Sequence, residues 1–232
     1  MTRHLLIYGA DGATGGRLVE LALSAGHRVC AAHLAGPEPS LTHERLEWTR
    51  SDILTPGGLA ADLEGIDAVL NAVGIDAGPK TAVFPPKLHT EGTLNLILAM
   101  RKSGVDRLVT ISASFVEERD RGPIWFRVAA KTGLRAIFEQ MGDMERILRA
   151  TETLRWTAVR PGWLLDEGPS DHAEVFADVI PPHLIRTRTG DLAAFMLRCV
   201  EEDLHIRETP AIAGPEPASK SGPDAVLRDM MG

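Results

Sequence analysis

Tyrosine is almost missing from this chain of 232 residues: Tyr8 stands alone beside six Phe and four Trp. That scarcity bears on any chemistry that needs a phenol as proton donor. Cysteine is nearly as rare. Cys30 and Cys199 give neither a disulfide framework nor a zinc-ligand spacing. They read as buried structural thiols in a reducing compartment, the cytoplasm. Long hydrophobic runs are also lacking, and none approaches the roughly 18 apolar residues of a membrane span. The apolar segment after Met1-Thr2-Arg3-His4 stops at Gly9, too short for the core of a secretion signal. Basic charge is in deficit, with 25 Lys and Arg against 32 Asp and Glu, so nothing draws the chain to nucleic acid. The expected partner is therefore a small molecule, met by a monomer or homodimer.

What is present is an alternation. Short apolar runs at Leu5–Tyr8, Val29–Leu34, Leu46–Trp48, Ala68–Val73, Arg107–Ile111 and Trp156–Val159 read as strands. Between them, Leu18, Leu21, Ala22 and Ala25 recur at helical spacing, as do Leu94, Ile97 and Leu98. A long helix carries Leu134, Ile137, Phe138, Met141, Met144 and Leu148, and another runs over Asp191–Val200. Gly58–Leu63 reads as one or two helical turns and Pro210–Ala213 as a last short strand. Strand, helix, strand, helix predicts an α/β fold with a doubly wound parallel sheet of Rossmann type, whose ligands bind beyond the carboxyl ends of the strands. Residues 1–214 read as one domain. Within it, 162–188 carries Pro169, Pro181 and Pro182 and reads as a loop or lid over a substrate. Residues 215–232 read as a solvated tail with a helical turn near Ala225.

Gly9-Ala10-Asp11-Gly12-Ala13-Thr14-Gly15 follows the first strand directly and opens a helix. That context gives a glycine-rich segment its meaning. One glycine permits the turn, one lets backbone approach a pyrophosphate, one packs helix on strand, and free N–H groups face the phosphates. A carboxylate here is repelled by phosphate unless it caps local N–H groups, so Asp11 is expected to turn in as a cap.

The Gly-x-x-Gly-x-x-Gly spacing resembles the atypical branch of the short-chain dehydrogenase/reductase superfamily, with its biliverdin-IXβ/flavin reductases and NmrA-like proteins. Further matches extend the resemblance over about residues 4 to 214: Ser51-Asp52-Ile53, Asn71-Ala72-Val73-Gly74, Gly104-Val105-Asp106-Arg107-Leu108-Val109, Asp143-Met144-Glu145-Arg146-Ile147-Leu148, Trp156-Thr157-Ala158-Val159-Arg160-Pro161-Gly162 and Gly190-Asp191-Leu192-Ala193. The resemblance implies an NAD(P) site formed by Gly9, Asp11, Gly12, Ala13, Thr14 and Gly15, with Asp52 and Ile53 at the adenine and Ala72, Val73 and Gly74 along the cofactor.

NAD selectors place a carboxylate some 20 residues past the loop, at the end of strand two. Here Val29-Cys30-Ala31-Ala32-His33-Leu34-Ala35-Gly36 supplies none before Glu38. That permits NADP, with NAD also admissible. His33 and Arg17 are the candidate donors to a 2′-phosphate.

The superfamily's usual catalysts are Ser, Tyr and Lys. Ser112 and Ser114 stand after strand five, where that Ser belongs. Lys131 is the matching Lys, but Arg127 occupies the Tyr position four residues earlier. An alternative register puts the pair at Ile137 and Met141. Neither register supplies a Tyr. Lys131, if desolvated, or His89, His172 or His183 is then the available acid. Alternatively no protein acid is needed, because hydride transfer to a conjugated acceptor can take its proton from water. Ser112 and Ser114 would then contact nicotinamide or substrate, and Trp125, Phe126, Trp163 and Phe176 are candidates to line an apolar site. Two functions fit: a reductase of flavins, quinones, tetrapyrroles or related carbonyls, or an NAD(P)-binding sensor of NmrA-like type without turnover. A sugar-nucleotide epimerase fits less well, since about 70 residues follow Pro161.

Overall fold

The computed structural model describes residues 1–34, 40–75, 81, 85–116, 134–222, 224–226 and 228. Its main sheet is built from β1 (His4–Tyr8), β2 (Arg28–His33), β3 (Leu46–Arg50), β4 (Ala68–Asn71), β5 (Arg107–Ile111), β6 (Arg155–Pro161), β8 (Glu174–Phe176) and β10 (Ala211–Ala213). β7 (Trp163–Leu165) and β9 (Arg186–Arg188) form a separate parallel pair. The helices are α1 (Ala13–Ser24), α2 (Pro56–Asp62), α3 (Thr93–Ser103), α4 (Arg135–Arg149), α5 (Thr189–Glu201) and α6 (Ala218–Ser221), with a π-helical turn at Leu88–Gly92 that runs into α3.

The strand order is β3-β2-β1-β4-β5-β6-β10-β8, and β8 alone pairs antiparallel. The order reverses at β1, which pairs with β2 on one side and β4 on the other, Tyr8 lying between Ala32 and Asn71. Such a reversal opens a crevice at the strand ends.

Alternation along β1 shows why the sheet is covered twice. Leu5 and Ile7 enter the core shared with Leu18, Val19 and Leu23 of α1 and with Phe195 and Met196 of α5. Leu6 and Tyr8 enter the opposite core with Leu59 of α2, Leu96 and Met100 of α3, and Met144 and Leu148 of α4. A parallel strand buried on both faces reads as a near-continuous apolar run, as Leu5 to Tyr8 does. A third cluster, including Phe115, Ile137, Phe138, Ile180, Leu184, Ile185 and Val226, sits at one end of the sheet. Cys30 and Cys199 are buried free thiols, and burial pushes each up to about 12. Among the described residues no helix is long and apolar enough to cross a membrane.

Two stretches differ from the sequence reading. Residues 162–188 hold β7, β8 and β9 rather than loop alone, and β8 extends the main sheet beside β10. Three-residue strands are too short to show a period, and tertiary bonds define them. Thr187 Oγ1 donates to the Ile212 carbonyl (2.6 Å) and accepts from the Gly162 N–H (2.8 Å). The stretch read as a solvated tail is docked where it is described. Glu216 pairs with Arg188, Lys220 Nζ reaches Glu167 Oε1 (2.5 Å), and Val226 is fully buried. Among the described residues its buried apolar side chains are Ala225 and Val226, which is too little pattern to read from sequence.

Candidate active site

A cleft of about 880 Å³ opens at the carboxyl ends of β1, β4, β5 and β6. Its polar end is backbone. Gly9 sits at φ +73°, and a Cβ there would lie 2.9 Å from the Ala72 carbonyl and the Val73 nitrogen. A Cβ on Gly15 would lie 1.9 Å from the Gly9 oxygen, so only glycine lets α1 start against the end of β1. The N-cap of α1 is Gly12, with no side chain bonded there and no acidic residue in the first turn. The first-turn N–H groups are thus left for a ligand, and the helix dipole favours an anion. Gly9, Asp11, Gly12, Ala13 and Thr14 line this end together with Ser51, Asp52 and Ile53. Asp52 shapes its own loop, Oδ1 accepting from the Leu54 N–H (2.8 Å). Ala72, Val73 and Gly74 line the next part of the wall. Asn71 holds that loop, donating to Thr110 Oγ1 (3.1 Å) and accepting from the Val73 N–H (3.3 Å).

The other end is apolar. Ile75, Leu88, Phe115, Leu134, Ile137, Phe138, Met141 and Trp163 line it. Between the ends stands Ser112 at the exit of β5. Its Oγ donates to Glu145 Oε1 (2.7 Å). Glu145 is wholly buried on α4 and is gripped by Arg160, through Nε to Oε1 (2.8 Å) and Nη2 to Oε2 (2.5 Å), and by Arg149 Nη2 (3.1 Å). Arg160, at the end of β6, thus holds a carboxylate. Glu145 was legible: it lies four residues after Met141 and three before Leu148, on the buried stripe of its helix.

Asp11 is exposed and does not cap α1, because Gly12 takes the N-cap position and Asp11 comes one residue too early. His33 is buried but does not line the cleft; its ring meets Trp48 edge-on at 5.9 Å. Strand alternation is the cause, since Ala32 and Leu34 are the β2-end residues that reach the cleft. Arg17 is used to tie α1 down, bonding Thr189 Oγ1 (2.9 Å) and Asp166 Oδ1 (3.0 Å). Ser114 does not line the cleft: its hydroxyl donates to the Arg160 carbonyl (2.8 Å). His172 and His183 are exposed and away from the cleft wall. His89 is buried at the cleft wall on the π-helical turn, its Nε2 is without a partner, and burial pushes it down to about 4. Phe176 packs in the third cluster rather than the cleft. Lys131, Arg127, Trp125 and Phe126 lie outside the described residues. Tyr8 lines the polar end, where its hydroxyl donates to Asp62 Oδ2 (3.3 Å) and burial drives its pKa up.

Residues 9–203 match the model of a family described as NAD(P)H-binding. An uncharacterized chloroplastic protein of Arabidopsis thaliana is 30% identical over 179 residues, covering 73% of this chain and 62% of that protein. The photosystem II assembly factor of Synechocystis is 24% identical, covering 91% of this chain and 62% of its own. The chain thus spans about three fifths of the length of these curated relatives. Among solved structures, a short-chain dehydrogenase/reductase from Veillonella parvula in complex with NADP superposes with a TM-score of 0.75 at 13% identity, covering 93% of this chain and 96% of that one. At that identity the likeness is one of fold.

Proposed function

As the chain belongs to the NAD(P)H-binding family, we propose that it is an oxidoreductase that reduces a conjugated small molecule, a flavin, quinone, tetrapyrrole or related carbonyl, without a tyrosine acid. One observation carries this reading. The cleft joins a backbone anion cradle to an aromatic wall, while its one phenol is tied to Asp62 at the wrong end.

The cradle of Gly9, Gly12 and Gly15 fits a dinucleotide, since a Cβ at Gly9 or Gly15 would collide with neighbouring backbone and the first-turn N–H groups of α1 have no side-chain cap. When bound, the nicotinamide supplies hydride. The chain does the rest. The α1 N–H groups hold the diphosphate, residues 72–74 form the wall beside it, and Ser112 marks the passage to the apolar end. Phe115, Phe138, Met141 and Trp163 hold a planar acceptor and exclude water from its face. Neither Ser114, committed to a carbonyl, nor Tyr8, held by Asp62, is free to donate a proton, and a conjugated acceptor can take its proton from solvent. NADPH is the preferred donor, since no carboxylate at the end of β2 repels a 2′-phosphate.

The test is oxidation of NADPH by purified protein against a panel of flavins, quinones and simple carbonyls. Turnover is expected with the conjugated acceptors and not with simple ketones. Tight NADPH binding with no turnover on any acceptor would instead favour the sensor reading, which similarity to an assembly factor also supports. Tighter binding of NADH than NADPH would overturn the cofactor preference.

A further inference from the structure

Ser112 is where a reductase of this architecture is expected to present a hydroxyl as donor to a carbonyl. The bonding around it denies that role. A serine hydroxyl has a single hydrogen. Here it is directed at Glu145 Oε1, 2.7 Å away. A carboxylate has no hydrogen to give back, and Glu145 is fixed in place. It is wholly buried, and Arg160 binds both of its oxygens while Arg149 adds a second bond on Oε2. Arg160 is itself 1% exposed and is anchored further by Nη1 on the Asp178 carbonyl (3.1 Å). Turning the Ser112 hydrogen toward the cleft would leave a buried carboxylate oxygen short of a bond, which is costly. Ser112 thus meets the cleft with lone pairs only.

Its position limits what it can meet. Ser112 lines the cleft where the dinucleotide cradle gives way to the aromatic wall, flanked by Ile111 at the end of β5 and Ala113 after it, and by Pro161 and Gly162 at the end of β6. A dinucleotide with its diphosphate on α1 would extend along the same continuous cleft, whose wall runs from Gly12, Ala13 and Thr14 past residues 72–74 to Ser112. The donor that a nicotinamide presents is its carboxamide N–H.

We propose that Ser112 is a hydrogen-bond acceptor in the cleft, held so by the Glu145–Arg160 pair, and that it takes the carboxamide N–H of the nicotinamide. Ser112 is then a group that orients the cofactor rather than one that polarises the acceptor. Glu145 and Arg160 are positioning residues that act through it. The inference rests on the reading that this cleft binds NADP.

The experiment is a binding titration with three probes: NADP⁺, its thionicotinamide analogue, which keeps the N–H, and its 3-acetylpyridine analogue, which keeps a carbonyl but has no N–H. Ser112→Ala is expected to weaken NADP⁺ and the thionicotinamide analogue by roughly threefold to tenfold, and to leave the acetylpyridine analogue unchanged. Ser112→Thr, which keeps the hydroxyl, is expected to restore the discrimination. Wild-type protein supplies a check that needs no variant, since it should bind the acetylpyridine analogue more weakly than NADP⁺. Equal loss on all three probes would make Ser112 a carbonyl donor and overturn the proposal. Unchanged binding of all three would overturn it as well. Failure of the wild-type protein to bind any probe would remove the cofactor reading itself.

Discussion

Arg50 ends β3 directly opposite His33, the last residue of β2. It is exposed, and its Nε donates to the Leu34 carbonyl (3.2 Å), so its guanidinium sits beside the cleft-lining Leu34. Among the described residues it has no ion-pair partner, whereas Arg17 is already bound to Asp166. The expected 2′-phosphate donor is therefore Arg50, not His33 or Arg17. Arg50→Ala should weaken NADPH by about tenfold, the scale of one charge-assisted bond at about 1.4 kcal/mol, and leave NADH unchanged; paired titrations check this. A second residue-scale expectation concerns His89, 3% exposed and held down to about 4 by burial. The unfolded chain takes up a proton near pH 6.5 that the folded chain refuses until about pH 4. The stability tied to neutral His89 is thus complete above about pH 6.5 and lost on going down to about pH 4, about 3 kcal/mol in all. Between neutral pH and about pH 4.5, urea unfolding should show the wild type losing more stability than His89→Leu. Equal losses would place the histidine's titration elsewhere.

At the scale of elements, the junction of β1 and α1 is the least forgiving point. Gly15→Ala would set a Cβ 1.9 Å from the Gly9 oxygen, so α1 must move off the strand. A cost of about 3 kcal/mol and loss of NADP binding are expected from denaturant titration and cofactor titration. Gly16→Ala, whose Cβ would meet only the Ala10 oxygen at 3.6 Å, should instead be neutral or gain up to about 1 kcal/mol from helix propensity. This junction was readable in sequence because the glycines are forced by backbone contact, and that constraint travels with the motif. The long elements were readable because their buried faces repeat: α4 shows Ile137, Phe138, Met144 and Leu148 buried along one stripe. Side-chain direction at element ends was not. His33 and Leu34 are neighbours, yet one packs on Trp48 and the other faces the cleft. Ser112 and Ser114 share a loop, yet one meets Glu145 and the other a carbonyl, because their partners come from α4 and β6. Bonds to residues 33 and 46 positions away have no local signature.

For the molecule as a whole, the cleft has two ends resting on different parts of the chain, and they should be separable. The cradle is made by β1, α1 and the turn after β4, all in the first third. The aromatic end rests on the third cluster, which Val226 completes from beyond the last strand. The segment leading to it is held by Glu216 on Arg188 and Lys220 on Glu167. Deleting residues 215–232 exposes the Val226 contact and leaves Arg188 without Glu216. The deletion should cost about 2 to 4 kcal/mol, the burial of one branched side chain plus a partly buried pair, read from the urea midpoint. Among the described residues none of this segment lines the cradle, so NADP affinity should be unchanged. Ligand linkage then gives a quantitative check: NADP at about one hundred times its Kd adds about 2.7 kcal/mol to any form that binds it equally well. Full-length and shortened chains should gain that same increment from different baselines, while the shortened chain's KM for a flavin or quinone rises. A smaller increment in the shortened chain would mean that the two ends of the cleft are coupled.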